Sequence, residues 1–523
     1  MRFLPAGENA LLVQLGSLDE VLSLHASLRA KPVPGMAEMI PAAETLLIGF
    51  DPYRISAAEL AAEIAPRDLS HRDAGTGREV EIPVDYDGQD LDEVAALTDL
   101  SRAEVIARHT GTPWLAAFNG FAPGFCYLTG GDPALDVPRR ATPRTEIPAG
   151  SVALAGTFSG VYPQSSPGGW QIIGTAPVPM WDLNRDPPAL LAPGDRVRFV
   201  DQAKAGRLRS QPARPSTPEL TPPAARWDIL AAPFPALLQD AGRVGLADQG
   251  IAASGSVDQG ALRALNRLLG NSPGTAALEV LGGGLRLRAT APCTVAATGA
   301  PRQMQVNGAP FASHRVIALD AGDELALGPA DSGTYGYLGV RGGFTVEPVL
   351  GSAATDTLAQ IGPKVLRAGD WLGLAGARAE AVQPPLAQPA LPRPGDLVEI
   401  EVTMGPRADW FTPQVQAQFL AQDWLVTPQS SRVGKRLEGQ PLQRDARELP
   451  SEATPAGAIQ IPHSGQPVLF LADHPLTGGY PVMAVVAAHH LDLAAQVPPG
   501  ARIRFRARAP FAPIIPNPSR GRT

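Results

Sequence analysis

Lysine, cysteine and long apolar runs are all scarce in this sequence, and each scarcity argues against a class of protein. Only four of the 44 basic residues are lysines, a bias that we attribute to codon usage. The net charge of −7 and the absence of a basic run argue against nucleic-acid binding. The two cysteines, Cys126 and Cys293, are too few for a disulfide framework or a four-cysteine zinc site.

Targeting and membrane-spanning segments are not apparent either. The apolar run at the N-terminus is interrupted by Glu8 and Asn9, and no cleavage-type sequence follows it. No stretch reaches the roughly 18 uncharged apolar residues that a membrane-spanning helix needs. We therefore expect a cytoplasmic protein without membrane or nucleic-acid partners.

Glycine and proline are abundant, with 54 and 55 residues in a chain of 523. Hydrophobic residues make up 44 % of the chain, which excludes a disordered protein. Frequent glycine and proline shorten helices, so the composition predicts a turn-rich, mainly β protein. At about 150 residues per domain, the length suggests three or four domains.

Two proline-rich stretches divide the chain into units. Residues 202–226 lack an apolar period and indicate an extended linker. Residues 381–396 have hydrophobic neighbours on both sides and indicate a connection between two lobes of one unit. The predicted units are therefore a small subdomain at 1–78, a β domain at 79–201 and a two-lobed unit at 227–512.

The first unit opens with alternating strand and helix patterns, which predict a small α/β subdomain. The predicted elements are a strand at Ala10–Leu15, a helix at Leu18–Ala30, a strand at Thr45–Phe50 and a helix at Ser56–Ile64. A strand from Glu79 and short helices at Asp90–Leu100 and Ser101–His109 follow. Ser101 and Glu104 have the spacing of a capping box.

A recurrent turn precedes several alternating runs. Glycine in this turn supplies a positive φ, and aspartate can close the turn with its side chain. Each copy predicts the start of a strand: APGDRVRFV at 192–200, DAGDELALG at 320–328, RAGDWLGLA at 367–375, RPGDLVEIE at 393–401 and PPGARIRFR at 498–506.

Common catalytic signatures are missing from the sequence. It has no GxxxxGK[ST] phosphate loop, no HExxH and no GxSxG. The glycines of LGGGLRLR at 281–288 run into a strand pattern, whereas a phosphate cradle needs a following helix N-terminus.

A dense block at 118–174 carries the first candidate binding residues. Arg139, Arg140 and Arg144 lie within six positions, and arginine forks bind carboxylate or phosphate. The alternative is that these arginines form ion pairs with acidic side chains on the surface. Residues 165–169 could form an anion nest or a tight hairpin.

Two further candidates open the second unit. Asp258 stands before the amphipathic helix pattern of 261–269, where it could bind a ligand or cap the helix. Arg243 lies in a glycine-flanked loop that offers no structural reason for an arginine.

The third candidate region follows the apolar run VLFLAD. Asp473 and His474 stand at its end, and a carboxylate beside an imidazole suggests an acid/base pair. The alternatives are a turn-capping Asp473 and a solvent-facing His474. Gly478 and Gly479 in the next turn permit close backbone approach to a ligand.

Taken together, these blocks resemble a known pair of families. The first unit contains the motifs GFAPGFCYL at 120–128, PRRATPR at 138–144, IPAGSVALAG at 147–156, GVYP at 160–163 and SPGGWQIIG at 166–174. In these motifs it resembles allophanate hydrolase subunit 1, which is also seen as the B subunit of 5-oxoprolinase and as a sporulation-kinase inhibitor. The second unit is similar to allophanate hydrolase subunit 2, or the C subunit of 5-oxoprolinase. Its motifs are QDAGRVG at 239–245, SGSVDQGALRALNRLLGN at 254–271, GPRADWF at 405–411, SSRVGKRLEG at 430–439, SEATPAGAIQIP at 451–462 and TGGYP at 477–481.

The resemblance implies tandem cyclophilin-like β-barrel domains in a mainly β chain with α+β parts. It implies a component of an ATP-dependent 5-oxoprolinase, with Mg²⁺-bound ATP in an assembled complex and a separate lactam-utilisation partner, the A-like protein of the complex. A homo-oligomer is left open. On this basis the expected catalytic residues are Asp473, Arg243 and His474, and the expected substrate-binding residues are Arg139, Arg144, Tyr162, Asp258, Thr477, Gly478, Gly479 and Tyr480.

The same resemblance leaves two alternatives. One is the carboxyltransferase component of a urea-carboxylase system, although the chain lacks an Ala-Met-Lys-Met biotin attachment site. The other is a module that regulates a histidine kinase, against which the retained second unit weighs. Phe158-Ser159 and Ala353 depart from the family's Gln-Thr and Arg, which puts polar substrate contacts in question.

Overall fold

The computed structural model describes residues 1–69, 77–140, 142, 144–205, 221–385, 387, 390–445 and 447–517. Most of the predicted linker, at 206–220, lies outside the described residues. At its two edges the chain is regular rather than extended, because residues 202–205 form a helical turn and a strand begins at Arg226.

The N-terminal subdomain is a four-stranded antiparallel sheet with two helices. The sheet order is β1-β2-β4-β3. Its elements are β1 (Arg2–Pro5), β2 (Ala10–Gln14), α1 (Leu18–Ala30), β3 (Met36–Pro41), β4 (Thr45–Phe50) and α2 (Ala57–Ile64). The predicted β2, α1, β4 and α2 are present, and Ser56 caps α2 with a full capping box. The pattern missed β1 and β3.

The next unit is a nearly closed barrel of seven strands. Its sheet order is β12-β9-β10-β7-β6-β13-β5, and an isolated bridge between Asp85 and Thr175 links the two edges. The elements are β5 (Glu79–Val84), α3 (Leu91–Thr98), α4 (Arg102–Gly111), β6 (Trp114–Asn119), β7 (Cys126–Thr129), β8 (Arg144–Ile147), β9 (Ser151–Ala155), β10 (Phe158–Val161), β11 (Ser166–Gly168), β12 (Gln171–Thr175), β13 (Arg196–Asp201) and α5 (Gln202–Ala205). We call this unit the first barrel.

A lobe of two sheets follows the linker. One sheet has the order β20-β19-β22-β17-β14-β25-β24 and the other β15-β16-β23-β18-β21. The elements are β14 (Arg226–Ala231), β15 (Ala236–Gln239), α6 (Gln259–Leu269), β16 (Ala277–Leu281), β17 (Leu285–Ala289), β18 (Cys293–Gly299), β19 (Arg302–Val306), β20 (Ala309–Ala312), β21 (Val316–Leu319), β22 (Glu324–Ala330), β23 (Tyr335–Val340), β24 (Phe344–Thr345) and β25 (Trp371–Leu374). Buried residues of both sheets, including Trp227, Leu278 and Leu338, share one core.

The last unit is a closed seven-stranded barrel, which we call the second barrel. Its strand order is β26-β33-β30-β31-β28-β27-β34, and β26 also pairs with β34. The elements are β26 (Leu397–Met404), α7 (Pro413–Ala421), β27 (Trp424–Val426), β28 (Gly434–Glu438), β29 (Glu452–Ala453), β30 (Ala458–Gln460), β31 (Val468–Phe470), β32 (Thr477–Gly478), β33 (Val482–Val486), α8 (Leu491–Gln496) and β34 (Arg502–Ala507).

The recurrent turn occurs as predicted at the start of five strands, namely β13, β22, β25, β26 and β34. Its glycines all have positive φ, between 86° and 97°. In the four copies with aspartate, the carboxylate accepts a hydrogen bond from a backbone amide three residues earlier, for example from Ala192 to Asp195 at 2.9 Å. The aspartates therefore close turns and are not candidates for chemistry.

The expected fold class is confirmed at the level of architecture. The protein is mainly β with few helices, and it contains one closed and one nearly closed barrel. The finer description of the barrels as cyclophilin-like stays an expectation. Over the part of the chain that the structure describes, every helix is too short or too polar to cross a bilayer.

Candidate active site between the two barrels

The first barrel packs directly against the last unit, and hydrogen bonds between buried side chains join them. The Tyr127 hydroxyl lies 3.2 Å from Thr477 Oγ1, and Ser451 Oγ donates to the same hydroxyl at 3.0 Å. Gly120 provides the space for this contact, because a Cβ atom there would lie 2.7 Å from the Thr477 side chain. The predicted turn 477–481 therefore faces the first barrel.

An aromatic cluster forms the first barrel's side of this interface. Its rings meet mostly edge to face, with centroids 4.4–6.1 Å apart. The members are Phe118, Phe121, Phe125, Tyr127, Phe158, Tyr162 and Trp170. Phe121 has a φ of 63°, an unusual conformation for a bulky residue and one that recurs at functional sites. The cluster gives the interface a rigid apolar wall.

An ionic network forms the opposite side. Asp473 is fully buried and accepts hydrogen bonds from Arg432 Nε and Nη2, both at 2.9 Å. Ser254 Oγ and Thr357 Oγ1 also donate to it, both at 2.7 Å. Burial alone would raise the pKa of Asp473, but these donors, Arg432 foremost, hold it below its usual value. Asp473 therefore stays ionised.

Arg432 carries the network deeper into the lobe. Its Nη1 donates to Glu279, which also accepts from the Tyr337 hydroxyl at 2.7 Å. The Tyr337 oxygen in turn accepts from the backbone amide of Asp258 at 2.9 Å. A chain of buried hydrogen bonds thus connects the start of α6 with the interface.

Asp258 lies at the far end of this chain and not beside Asp473. Its carboxylate caps α6 by accepting from the Ala261 amide at 2.7 Å, and Gln496 donates to its other oxygen at 2.7 Å. Burial and the nearby Asp492 raise its pKa to about 6. The geometry therefore gives Asp258 the capping contact, and the substrate-binding role stays a prediction.

Arg243 lies on the interface side of the network and is 3 % exposed. Its Nη2 donates to the Ala354 carbonyl. Its Nε and Nη1 have no hydrogen-bond partner among the described residues, although buried polar atoms normally have one in protein, water or ligand. Burial lowers the pKa of Arg243, and the nearby carboxylates of Asp356, Asp240 and Asp473 oppose this shift only in part.

Asp356 differs from Asp473 although the two lie close together. Burial, and then the negative charge of Asp473, raise the pKa of Asp356 to about 7. Its Oδ1 accepts from the amides of Leu358 and Ala359 at 2.9 and 2.8 Å. The site therefore pairs one carboxylate that stays ionised with a neighbour that holds its proton up to neutral pH.

The predicted pair of Asp473 and His474 does not form a hydrogen bond in the described structure. His474 Nδ1 lies 2.9 Å from the Leu471 carbonyl and Nε2 lies 3.2 Å from the Thr454 carbonyl, so both ring nitrogens face backbone. Burial lowers the pKa of His474. The strand β31 also ends at Phe470, before Asp473. Catalytic roles for the two residues stay predictions, but they would not act as one hydrogen-bonded pair.

The three neighbouring arginines have different surroundings. Arg140 and Arg144 both bind the buried Asp90, with Arg144 donating through two nitrogens at 2.6 and 2.9 Å. Pairing with acids therefore accounts for these two, although their shared partner Asp90 is buried and not on the surface. The substrate-binding role of Arg144 stays a prediction. Arg139 instead lies against Gly479, where a Cβ atom would be 2.0 Å from its Nη1.

The remaining predicted binding residues lie around the same turn. Tyr162 is buried beneath Arg139, whose charge acts on its phenol; burial raises the pKa of this hydroxyl. Gly478 pairs with Glu452 across β29 and β32. Tyr480 is half-buried and packs edge to face with His463. The structure therefore brings Arg139, Tyr162 and the turn 477–480 together.

The family departures have structural counterparts. Phe158 is part of the aromatic cluster, and Ser159 Oγ lies 2.9 Å from Nε2 of the buried His109. The Ala353 amide donates to Asp240 at 2.7 Å. Ser159 is thus a core residue of the first barrel, and Ala353 holds its loop in place through its backbone.

Sequence reasoning missed Arg432, Glu279, Ser254 and Asp356. One signal was available for Glu279, the single charge in the otherwise apolar strand ALEVL. Ser254 has a φ of 53°, which the sequence does not reveal. Arg432 lies within the motif SSRVGKRLEG, but nothing in the sequence distinguishes it from the other residues of that motif.

Comparisons with known proteins agree with this architecture. Residues 1–191 match the family described as carboxyltransferase domain, subdomain C and D, and residues 249–507 match carboxyltransferase domain, subdomain A and B. The chain belongs to the carboxyltransferase-domain family. It is a fusion of a unit like the B subunit of 5-oxoprolinase with a unit like the C subunit of that enzyme.

Named relatives cover each half of this carboxyltransferase-domain protein. The 5-oxoprolinase C subunit of Haemophilus influenzae is 36 % identical over 54 % of the chain and 90 % of its own length. The 5-oxoprolinase B subunit of Bacillus subtilis is 38 % identical over 37 % of the chain and 90 % of its own length. The crystal structure of TTHA0988 covers 95 % of the chain and 99 % of its own, with a TM-score of 0.81 and 34 % identity.

A second group of relatives carries the domain within much longer chains. The urea amidolyase of Saccharomyces cerevisiae is 32 % identical over 59 % of this chain but only 18 % of its own length. The relatives thus include subunits of 5-oxoprolinase and a urea amidolyase.

Proposed function

We propose that the chain is the fused B and C component of an ATP-dependent 5-oxoprolinase. It would hydrolyse 5-oxo-L-proline to L-glutamate together with a separate lactam-utilisation (A-like) protein. The observation that carries this proposal is the interface itself, where Tyr127 of the B-like half binds Ser451 and Thr477 of the C-like half. A site built from both halves explains why they occur in one chain, since fusion fixes their ratio and raises their effective concentration.

The proposed reaction must activate an amide that water attacks slowly. The lactam carbonyl oxygen takes the γ-phosphoryl group of ATP and ADP leaves. Water then adds to the carbonyl carbon, and the ring C–N bond breaks with proton transfer to nitrogen, which leaves the side-chain carboxyl of glutamate as an acyl phosphate. A second water hydrolyses this acyl phosphate and releases glutamate and inorganic phosphate. Charge develops on oxygen in these steps, and oriented donors in a water-poor site stabilise it. Arg243, whose Nε and Nη1 have no partner among the described residues, would supply such donors.

The ionic network is proposed to position this site and not to bind Mg²⁺. Asp473 and Glu279 are both paired with Arg432, so their oxygens are already engaged in hydrogen bonds. Asp473 also holds Ser254 and Thr357, which fixes the loop that carries Asp356. We therefore assign ATP and Mg²⁺ to the assembled complex, and we propose Arg243, with its unpartnered Nε and Nη1 among the described residues, as the catalytic arginine.

The test is turnover by the purified chain with its A-like partner. We expect ADP and glutamate to form in equal amounts when 5-oxoproline is supplied. No turnover with 5-oxoproline, together with urea-dependent activity when a biotinylated partner is added, would overturn the proposal in favour of a urea-carboxylase role. Asp473→Asn keeps the size of the side chain and removes its charge; unchanged activity would reduce Asp473 to a turn residue.

A further inference from the structure

The arginine at 139 differs from its neighbours in having no hydrogen-bond partner among the described residues. Arg140 donates to Asp90 and Glu93 at 2.9 and 2.7 Å, and Arg144 binds Asp90. No carboxylate or carbonyl in the same set accepts a hydrogen bond from Arg139, which is half-buried. A guanidinium has five donors in a planar fork suited to a carboxylate or phosphate. Arg139 can therefore offer these donors to a ligand at the interface of the two halves.

Gly479 of the other half determines where this guanidinium lies. A Cβ atom at Gly479 would come within 2.0 Å of Arg139 Nη1. Gly479 does not have a positive φ, so its backbone conformation would accept other residues. The turn does not need a glycine here, but the guanidinium occupies the space that a side chain at position 479 would fill. One half of the chain thus makes room for a cation that the other half supplies.

Buried amides with unused polar atoms lie beside Gly478 and beside the segment that carries Arg139. Gln460 Nε2 has no partner among the described residues and would lie 2.9 Å from a Cβ at Gly478. Gln171, beside Arg139 in the fold, donates to the Pro138 carbonyl at 3.4 Å, but its Oε1 has no partner in the same set. Both side chains are at least 95 % buried, since Gln460 is 4 % and Gln171 1 % exposed. Such atoms normally bind a ligand or water.

We propose that Arg139 and the turn at Gly478-Gly479 form an oxyanion subsite shared by the two halves, which binds the carboxylate of the lactam substrate. The choice of carboxylate rests on the proposed function, because 5-oxoproline carries one next to its ring nitrogen. A transferred phosphate has the same chemistry for a guanidinium, so the experiment separates the two. Arg139 acts in substrate binding, and its loss is expected to raise KM more than it lowers kcat.

The test compares two variants that disturb the subsite from opposite halves. Arg139→Gln removes the charge, and Gly479→Ala displaces the guanidinium. In the assembled complex we expect each to raise KM for 5-oxoproline about 10- to 100-fold, as for loss of a charge-assisted hydrogen bond, with kcat changed much less. Two further variants are the matched controls. Arg140→Gln leaves Asp90 bound by Arg144, and Gly111→Ala adds a Cβ atom that has no other atom within 4 Å.

Further measurements separate the outcomes. Inhibition by inorganic phosphate is expected to be the same in wild type and Arg139→Gln. A variant that loses phosphate inhibition and kcat but keeps KM would show that Arg139 holds the phosphoryl group, which overturns the carboxylate assignment. Unchanged KM in both variants would overturn the subsite altogether.

Binding distinguishes a failure of the subsite from a failure of the proposed function. We expect the full chain, by calorimetry, to bind 5-oxoproline more tightly than 2-pyrrolidinone, which is the same ring without the carboxylate. Arg139→Gln should abolish this difference. If wild type binds in this way but the assembled complex does not turn 5-oxoproline over, the proposed function fails and the subsite stands. If wild type binds both lactams equally, the subsite fails.

Discussion

The first and second barrels have one strand plan but carry different chemistry in the loops between the strands. The neighbour order β5-β13-β6-β7-β10-β9-β12 in the first corresponds to β26-β34-β27-β28-β31-β30-β33 in the second. In both, the earliest and the latest strand pair in parallel, and helical segments follow the earliest strand. The barrels are therefore structural repeats.

Equivalent core residues support this repeat. Trp114 begins β6 and its indole N–H donates to the His109 carbonyl at 3.1 Å. Trp424 begins β27 and donates to the Phe419 carbonyl at 3.0 Å. In each case the acceptor lies five residues earlier, in or at the end of the preceding helix. The same bond thus ties helix to barrel twice.

The difference lies around a Gly-Gly-aromatic sequence that precedes an equivalent strand in each barrel. Residues 168–170 precede β12, and Tyr162 and other aromatic residues pack near them. Residues 478–480 precede β33, and Asp473 with its ionic network lies just before them. In the proposed site, one copy of this repeated scaffold would contribute an apolar wall and the other copy the charged groups.

The largest expected effect comes from breaking the network of the second barrel. Arg432→Met leaves Glu279 and Asp473 buried without a counter-charge, which typically costs about 3–5 kcal/mol. The free energy of unfolding in urea measures this loss. The first barrel's Arg140→Met serves as the control, because Arg144 still binds Asp90. Equal losses in the two variants would contradict the assigned difference between the barrels.

The two halves should respond to pH in opposite directions. Burial lowers the pKa of His109 in the first barrel to about 3, so the unfolded state takes up its proton first as pH falls below about 6.5. Stability is then lost toward acid. Asp356, facing the second barrel, keeps its proton up to about pH 7 when folded but loses it near 3.8 when unfolded, so stability is lost as pH rises through that window.

Each residue contributes at most about 1.4 kcal/mol per pH unit within its window. His109→Phe, which copies Phe419 of the second barrel, should weaken the loss between pH 6.5 and 4. Asp356→Asn should weaken the loss between pH 4 and 7. Urea unfolding at several pH values checks both slopes. A wild-type slope retained in either variant would show that the titration belongs to another group.

The repeated tryptophans should have equal, moderate effects. Trp114→Phe and Trp424→Phe each remove one hydrogen bond and leave a small cavity, at a cost of about 1–2 kcal/mol. Urea unfolding of the two variants, side by side, sharpens the comparison. A difference between them as large as the expected loss itself, about 1–2 kcal/mol, would argue that the barrels are alike in topology only.

The smallest expected effect is on the surface of both barrels. Arg198 lies 3.6 Å from Glu81 and Arg506 lies 3.6 Å from Glu399, each across the parallel strand pair. All four side chains are more than half exposed, and such pairs contribute about 0–1 kcal/mol. Arg198→Ala and Arg506→Ala should both leave the thermal unfolding midpoint nearly unchanged. A large shift in either would mean that these pairs are more than surface contacts.

Much of the local structure could be predicted because its causes are local. The capping boxes at Ser56 and Ser101, and Gly270 with φ 67° at the end of α6, all act within a few residues. The five turns that open strands are of the same kind. The strands β1 and β3 were missed because β1 has only four residues and the register of β3 shifts between Met36 and Met39, so neither gives a clear alternating pattern.

The candidate site could be predicted only in part, because its contacts are distant in sequence. Arg432 pairs with Glu279 across 153 positions, and Tyr127 with Thr477 across 350. The sequence motifs pointed to Asp473 and to the turn 477–480. The role of each side chain, however, depends on which distant residue it contacts in the fold. The repeat of the barrels is likewise a property of strand order. In the sequence it shows only in the similar turn and strand that end each barrel, at 192–200 and 498–506.

If the site lies between the two halves, a bulky side chain at their interface should lower activity without unfolding the chain. Gly120→Leu would place a side chain against Thr477, where even a Cβ atom comes within 2.7 Å. Glutamate formation from 5-oxoproline by the assembled complex is the measurement, with Gly111→Leu as the control. We predict that Gly120→Leu lowers the rate of glutamate formation by about 10-fold or more. Its free energy of unfolding in urea should stay close to that of the wild type. Wild-type turnover with this side chain in place would contradict the account.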